Sequence, residues 1–201
     1  MTRPLQLGIL GSGRGSNFVA VAQALARGEI NATIRLVASD IEGAHILEEA
    51  RLRQLPVYSC RRGAFKTKLE PEIESDLALA LKNAGAELLV LAGYMRVLKA
   101  PLLEAFPGRI LNIHPSLLPA FPGLKAWEQA LHAGVRETGC TVHWVDATVD
   151  GGPVIDQARV PILPGDNPQS LHHRIQETEH KLLPSVLARL GNGTLPLPAV
   201  E

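Results

Sequence analysis

The sequence predicts an α/β domain in which a mostly parallel, open twisted sheet carries helices on both faces. Three observations predict it. The apolar runs at Leu5 to Leu10, Glu87 to Gly93 and Ile110 to Ile113 are nearly continuous rather than alternating, as strands covered on both sides require. Segments of helical periodicity lie between them, one running through Phe18, Val19, Ala22 and Leu25 to Gly28 and the next with Ala44, Leu47 and Ala50 facing inward. A glycine-rich loop joins the first strand to the first helix, a layout suited to holding phosphate.

The totals bound the reading. A chain of 201 residues fits one domain, and 46% hydrophobic residues suffice for a core on both faces of a sheet. No repeat, low-complexity block or linker divides residues 1–201, so a single domain is expected, with a loose Pro-containing tail at about 191–201. Lys plus Arg equals Asp plus Glu at 20 each, which leaves no global field for a nucleic acid duplex or an anionic membrane. An anionic ligand must then be held by a local site. Cys60 and Cys140 are too few for a disulfide framework and lack metal-ligand spacing, so no metal is expected. With no signal peptide and no apolar run of ~18 residues, the expected compartment is a reducing cytoplasm, with both thiols inert in the core.

After the first strand comes Gly11-Ser12-Gly13-Arg14-Gly15-Ser16-Asn17. The glycines let the backbone approach an anion, and Ser16 and Asn17 sit where the open N–H groups and the positive end of a helix dipole would meet it. Two other readings stand beside this one: a plain tight turn, and a dinucleotide fingerprint in which Asp40, closing the next strand at Ile34 to Ala38, would meet a ribose. The sixth fingerprint position weighs against the last, because Ser16 stands where Gly or Ala would allow close helix packing.

A helix is expected from Gly43 to Gln54 and a short strand at Val57 and Tyr58. Helical periodicity then runs from Lys66 to Asn83 with Pro71 in a first turn, after a basic, mobile loop at 61–68. Gly93 would admit a planar ligand, and Met95, Val97 and Leu98 either wall an apolar slot or belong to the core. A short helix is expected at Pro101 to Phe106, another at Lys125 to His132, and neighbouring strands at Gly139 to Val145 and Val154 to Val160. The first of these strands alternates Cys140, Val142 and Trp144 against Thr141, His143 and Val145. Asn167-Pro168 opens the last helix, whose buried stripe reads Leu171, Ile175, Leu182, Val186 and Leu190, with a kink at Pro184. Gln176 and Glu179 share a face off that stripe.

The central stretch is Asn112-Ile113-His114-Pro115-Ser116-Leu117-Leu118-Pro119. Alternation puts Asn112 and His114 on one face at the carboxyl end of a buried strand, where open parallel sheets bind ligands. An amide and an imidazole so placed can stabilise an oxyanion and move a proton; the competing reading is a turn cap and a satisfied core histidine. Asp150-Gly151-Gly152-Pro153 is a rigid turn that either holds one carboxylate in place or merely uses Asp as a turn former.

Taken together, Gly15-Ser16-Asn17, Gly93-Tyr94-Met95-Arg96-Val97-Leu98, the Asn112 to Pro119 stretch and Val149-Asp150-Gly151-Gly152-Pro153-Val154 resemble, in that order, the phosphoribosylglycinamide formyltransferases, within the formyltetrahydrofolate-dependent formyltransferase family. The resemblance covers nearly the whole chain. It implies a Rossmann-like formyltransferase fold, with a phosphate-binding half at about 1–100 and a catalytic and folate-binding half at about 101–190. It implies transfer of a formyl group from 10-formyltetrahydrofolate, as co-substrate, to the amine of glycinamide ribonucleotide. Asn112 and His114 would act at the formyl carbon, with Asp150 orienting His114 and favouring its charged form. Gly15, Ser16 and Asn17 would hold the phosphate, and Gln176 and Glu179 would reach the same substrate, Glu179 at the ribose hydroxyls. The pterin would lie between Met95, Arg96, Val97 and Leu98 and the loop from Asp146 to Asp150, held largely by backbone groups. Lys68 stands near the place where the family carries an Arg that approaches the folate tail; a Lys keeps the charge and loses the fork. A cis bond before Pro119 is a further family expectation. A homodimer is left open.

Three alternatives are weighed against this. A methionyl-tRNA formyltransferase would be expected to carry a further C-terminal domain and a basic face, which the neutral balance does not offer. A formyltetrahydrofolate deformylase would be expected to carry an extra N-terminal domain before a first strand that here begins by Leu5. A non-catalytic dinucleotide module would use Gly11, Gly13 and Asp40 and leave Asn112, His114 and Asp150 idle.

Overall fold

The computed structural model describes residues 3–61 and 63–199; residues 1 and 2, residue 62 of the basic loop and residues 200 and 201 of the tail lie outside the described residues. Along the chain run β1 (Leu5–Leu10), α1 (Ser16–Ala26), β2 (Ala32–Ser39), α2 (His45–Leu52), β3 (Val57–Ser59), α3 (Pro71–Asn83) and β4 (Leu88–Leu91). They are followed by α4 (Ala100–Ala105), β5 (Ile110–His114), α5 (Ala126–His132), β6 (Glu137–Trp144), β7 (Val154–Pro161) and α6 (Pro168–Gly191). The seven strands form one sheet in the order β3-β2-β1-β4-β5-β6-β7. The first five are parallel, and β6 and β7 continue the sheet antiparallel.

This order places the functional crevice. From β1 the chain winds outward to β2 and β3, then returns to the other side of β1 with β4, so the loops after β1 and β4 part at a topological switch point. The next strand on that side is β5, which brings the carboxyl end bearing Asn112 and His114 to the same rim.

Strand alternation divides the core in two. Leu7, Ile9, Leu88, Val90, Leu111 and Ile113 point to a cluster with Phe18, Val21, Leu171, Ile175 and Leu183. Leu10, Leu89, Leu91 and Ile110 point to the opposite cluster with Ile73, Leu77, Leu81, Leu102 and Phe106. Continuous apolar runs were required because both faces are buried.

Several expected features differ in the structure. α3 begins at Pro71 rather than Lys66, because proline at a first helical position needs no N–H partner and fixes the entry. α6 has the expected Asn167 cap, here a reciprocal capping box with Ser170, and continues as helix through Pro184. Its stripe is corrected: Leu183 rather than Leu182 is fully buried, and Glu179 lies on the stripe at 5% exposure instead of off it. Residues 175, 179 and 183 are one turn apart, so a carboxylate occupies a position that periodicity assigns to the core. The tail is less loose than expected over its described part. Leu195 and Leu197 pack on the core, and Arg109 Nη1 donates to the Pro198 carbonyl at 2.6 Å.

The β6–β7 pair permits a sharp test of this packing. A Cβ on Gly139 would lie 2.0 Å from the Ala158 carbonyl oxygen and 2.7 Å from the Leu117 side chain, whereas one on Gly13 would meet nothing within 4 Å. Gly139→Ala should therefore lower unfolding free energy by about 1–3 kcal/mol through overpacking, and Gly13→Ala should leave it nearly unchanged. Urea unfolding of the two variants checks this.

Candidate active site

Asn112 and His114 leave β5 on one face, and β6 runs antiparallel beside it with His143 directly opposite Asn112. Burial pushes the His143 imidazole below its ordinary pKa, outweighing the opposite pull of the Trp144 carbonyl and Asp150, so the neutral ring is favoured. Its Nδ1–H donates to the Trp144 carbonyl at 2.9 Å, which leaves the Nε2 lone pair to accept from Asn112 Nδ2 at 3.1 Å. That bond fixes which end of the amide is the donor.

On the other side, His114 Nε2 lies 2.9 Å from the Phe121 carbonyl, so this nitrogen carries the proton and Nδ1 faces inward. Asp150 closes the ring of contacts: Oδ2 is 3.4 Å from His114 Nδ1, and Oδ1 is 3.7 Å from His143 Nε2. An amide, two imidazoles and a carboxylate thus surround one spot.

The Asp150 carboxylate is held there by backbone. Asp150 itself has φ +53, and Gly123 N–H donates to its Oδ2 at 2.8 Å. The adjoining glycines are dictated by crowding: a Cβ on Gly152 would lie 2.0 Å from the Trp144 carbonyl oxygen, and one on Gly151 2.4 Å from Thr148 Oγ1. The turn Phe121-Pro122-Gly123 therefore braces both His114, through the Phe121 carbonyl, and Asp150, through the Gly123 amide. It follows a cis Leu118–Pro119 bond.

The glycine loop lies across the crevice. Gly15 has φ +76, and a Cβ there would lie 2.8 Å from the Ile46 side chain, so only glycine fits. Ile46 N–H donates to the Gly13 carbonyl at 3.1 Å, and His45 Nδ1 lies 3.2 Å from the Arg14 carbonyl. With these carbonyls held against α2, α1 begins without any side-chain cap, which leaves its first N–H groups open. Asn17 Nδ2 donates to Glu179 Oε2 at 2.9 Å, while the buried Asn17 Oδ1 has no partner among the described residues. Burial raises the Glu179 carboxyl to about 7, partly offset by the Asn17 bond. Gln176, one turn before Glu179, is half-buried.

The third wall is the segment 93–98. Met95 N–H donates to Ser12 Oγ at 2.8 Å and Val97 N–H to the Thr67 carbonyl at 2.8 Å. The alternate amides, those of Arg96 and Leu98, have no partner among the described residues and remain as donors. Met95 is 56% exposed, whereas Leu98 is buried with the core. The Arg96 guanidinium turns inward to Asp40 at 2.6 Å. Lys68 is exposed, with Nζ 4.6 Å above the Phe65 ring. Asp146 is exposed too, and its Oδ1 accepts from Thr148 N–H at 2.8 Å, shaping the 146–150 loop. Asp40, which the dinucleotide alternative would aim at a ribose, has its oxygens occupied by Ser12 Oγ and Arg96 Nε.

Sequence reasoning missed His143, Phe121 and Gly123. His143 was within reach, since it lies on the strand that pairs with β5, directly opposite Asn112; the other two act through backbone atoms, which residue type does not reveal. Both cysteines are free and buried, with their thiols pushed up to about 12 by burial. Among the described residues, no cluster of three or more His, Cys, Asp and Glu side chains is arranged for a metal, and no helix is long and apolar enough to cross a membrane.

Comparison with known proteins fits this geometry. The chain is 39% identical over 182 residues to phosphoribosylglycinamide formyltransferase of Bacillus subtilis, covering 90% of this chain and 92% of that protein. It is 44% identical over 193 residues to the trifunctional purine biosynthetic protein adenosine-3 of Drosophila pseudoobscura pseudoobscura; that match covers 94% of this chain but spans only 14% of the longer protein. Glycinamide ribonucleotide transformylase 1 from Symbiobacterium toebii superimposes with a TM-score of 0.92 at 42% identity, covering 99% of this chain and 93% of that one. The family profile for formyl transferases matches residues 5–187, and the chain belongs to the formyl transferase family.

Proposed function

We propose that this chain transfers the formyl group of 10-formyltetrahydrofolate to the amine of 5-phosphoribosylglycinamide; its relatives from Bacillus subtilis and Escherichia coli carry the name phosphoribosylglycinamide formyltransferase, which supports the reading. The observation that carries the reading is the convergence of Asn112, His114 and Asp150 on one spot beside an uncapped helix N-terminus. The compartment is the cytoplasm, which agrees with two unpaired buried thiols. The partners are small molecules, with the glycine loop serving the phosphate and the 93–98 segment serving the folate.

The folate supplies an activated formyl carbonyl, and the rest is positioning and proton movement. The open amides of Gly15, Ser16 and Asn17 take the ribonucleotide phosphate, with Gln176 beside it and Glu179 at the ribose hydroxyls. The free donors at Arg96 and Leu98 take the planar ring. Lys68 lies at the approach of the folate tail and Asp146 shapes the loop opposite. Asn112 Nδ2 has a second hydrogen beyond the one given to His143, and it meets the formyl oxygen as negative charge develops there. The amine attacks the formyl carbon and the bond from that carbon to the folate nitrogen breaks; His114, held from behind by the Phe121 carbonyl, presents Nδ1 to the same centre and relays the proton the amine loses to the departing nitrogen. Asp150 lies close enough to stabilise His114 as an imidazolium, and the 3.4 Å gap leaves room for the contact to tighten when substrate binds.

Incubation with formyltetrahydrofolate, with and without the ribonucleotide, tests the reading: release of tetrahydrofolate should require the ribonucleotide. Ribonucleotide-independent release would instead mean a hydrolase. Asn112→Ala, His114→Ala and Asp150→Ala should each lower kcat by about 10²–10³-fold with little change in KM. Asn17→Ala should instead raise the ribonucleotide KM, since it removes a binding group and not a reacting one.

Glu179 adds a pH signature. Burial lifts its folded carboxyl from the ordinary 4.5 to about 7, so the folded state binds more protons than the unfolded one between these values. Its penalty is absent below about 4.5, grows as pH rises and is complete above 7. Glu179→Gln should therefore be more stable than wild type at pH 8 by roughly 1–3 kcal/mol, and the advantage should vanish by pH 4.5. Denaturant unfolding across that range measures it.

A further inference from the structure

We infer that Asp40 is a positioning residue for the folate pocket, acting through Ser12 and Arg96 on the backbone of residues 93–98; the inference rests on the formyl-transfer reading. Asp40 directly follows β2, one strand away from the switch point, and its side chain is 2% exposed. Oδ1 accepts from Ser12 Oγ at 2.5 Å and Oδ2 from Arg96 Nε at 2.6 Å. Both partners lead to the same segment. Ser12 Oγ, while donating to Asp40, accepts the Met95 N–H at 2.8 Å, and Ser12 N–H donates to the Gly93 carbonyl at 3.0 Å. Arg96 Nη1 reaches the Phe65 carbonyl and, at 3.4 Å, the Lys68 carbonyl, so the loop that packs over the segment is tied to the same carboxylate.

The consequence lies in which amides stay free. Fixing Met95 N–H on Ser12 and Val97 N–H on Thr67 turns the alternate donors, at Arg96 and Leu98, into the ones a ligand can use. A carboxylate at position 40 orients the Ser12 hydroxyl as a donor toward itself and therefore as an acceptor toward Met95. An amide at position 40 can present an N–H to Ser12 and reverse that polarity, and it leaves the Arg96 guanidinium, 15% exposed, without its counter-charge. A purely structural ion pair would affect stability and both substrates alike. A pair that sets the 93–98 backbone affects the folate alone.

The test compares wild type, Asp40→Asn and, as a milder variant that keeps the ion pair, Ser12→Ala. Tetrahydrofolate binding is measured by calorimetry, the KM of each substrate by steady-state kinetics, and amide hydrogen exchange over 93–98 without ligand. Asp40→Asn should weaken tetrahydrofolate binding and raise the formyl-folate KM about tenfold, equivalent to about 1.4 kcal/mol. The ribonucleotide KM should stay within about twofold, and exchange at Met95 should quicken in both variants. Unchanged folate binding in both variants, or equal rises in the two KM values, would overturn the inference. A wild-type protein that binds no tetrahydrofolate would overturn the formyl-transfer reading itself, and this inference with it.

Discussion

The structure depends on one constraint: a carboxylate must stand between two imidazoles at the rim of the sheet, and the backbone must hold it there. Asp150 meets this from a left-handed conformation, in a turn whose next two glycines have no room for a side chain. The Gly123 amide supplies the bond that fixes the carboxylate. Because the same turn presents the Phe121 carbonyl to His114, the acid and the imidazole share a support. Three residues at positive φ without being glycine, Phe121, Lys125 and Asp150, cluster in these loops. Strain of that kind persists only where surrounding contacts over-determine the backbone.

Around this centre the fold accepts polar burial that a stable core alone would not select. His143 is 2% exposed and neutral, and serves as an acceptor that fixes the Asn112 amide. Glu179 lies in an apolar stripe with its carboxyl raised to about 7, restrained by a single bond from Asn17. Both sacrifice stability for orientation, since burying an ionisable group without full pairing is unfavourable. The sheet itself is ordinary: continuous apolar strands, helices on both faces, and a crevice where strand order reverses. The candidate site gathers strand ends and loops at that rim.

Much of this was legible in the residues. The strands from Leu5, Leu88 and Ile110 could be read because two-sided burial removes alternation, and Pro71, Asn167 and the glycines marked helix ends through their backbone preferences. The Asn112, His114 and Asp150 set could be named because its residue types carry chemistry, although their meeting across β5 and the 146–150 loop is tertiary. Glu179 misled the helical reading, since periodicity expects an apolar residue wherever a helix faces the core. Asp40 was open to a second reading, since a strand-end acid beside a glycine loop suits a ribose; Ser16 weighed against that reading, and the placement of Ser12 and Arg96 shows where the carboxylate is engaged. Backbone support from Phe121 and Gly123 was beyond reach, because any residue type can supply a carbonyl or an amide.

The central claim is that Asp150 and His114 act as one unit. A double-mutant cycle on kcat with His114→Ala and Asp150→Asn tests it most directly. If the account holds, the double variant is scarcely slower than the worse single variant, because each substitution already disables the shared unit. Losses that multiply, as for independent groups, would contradict it.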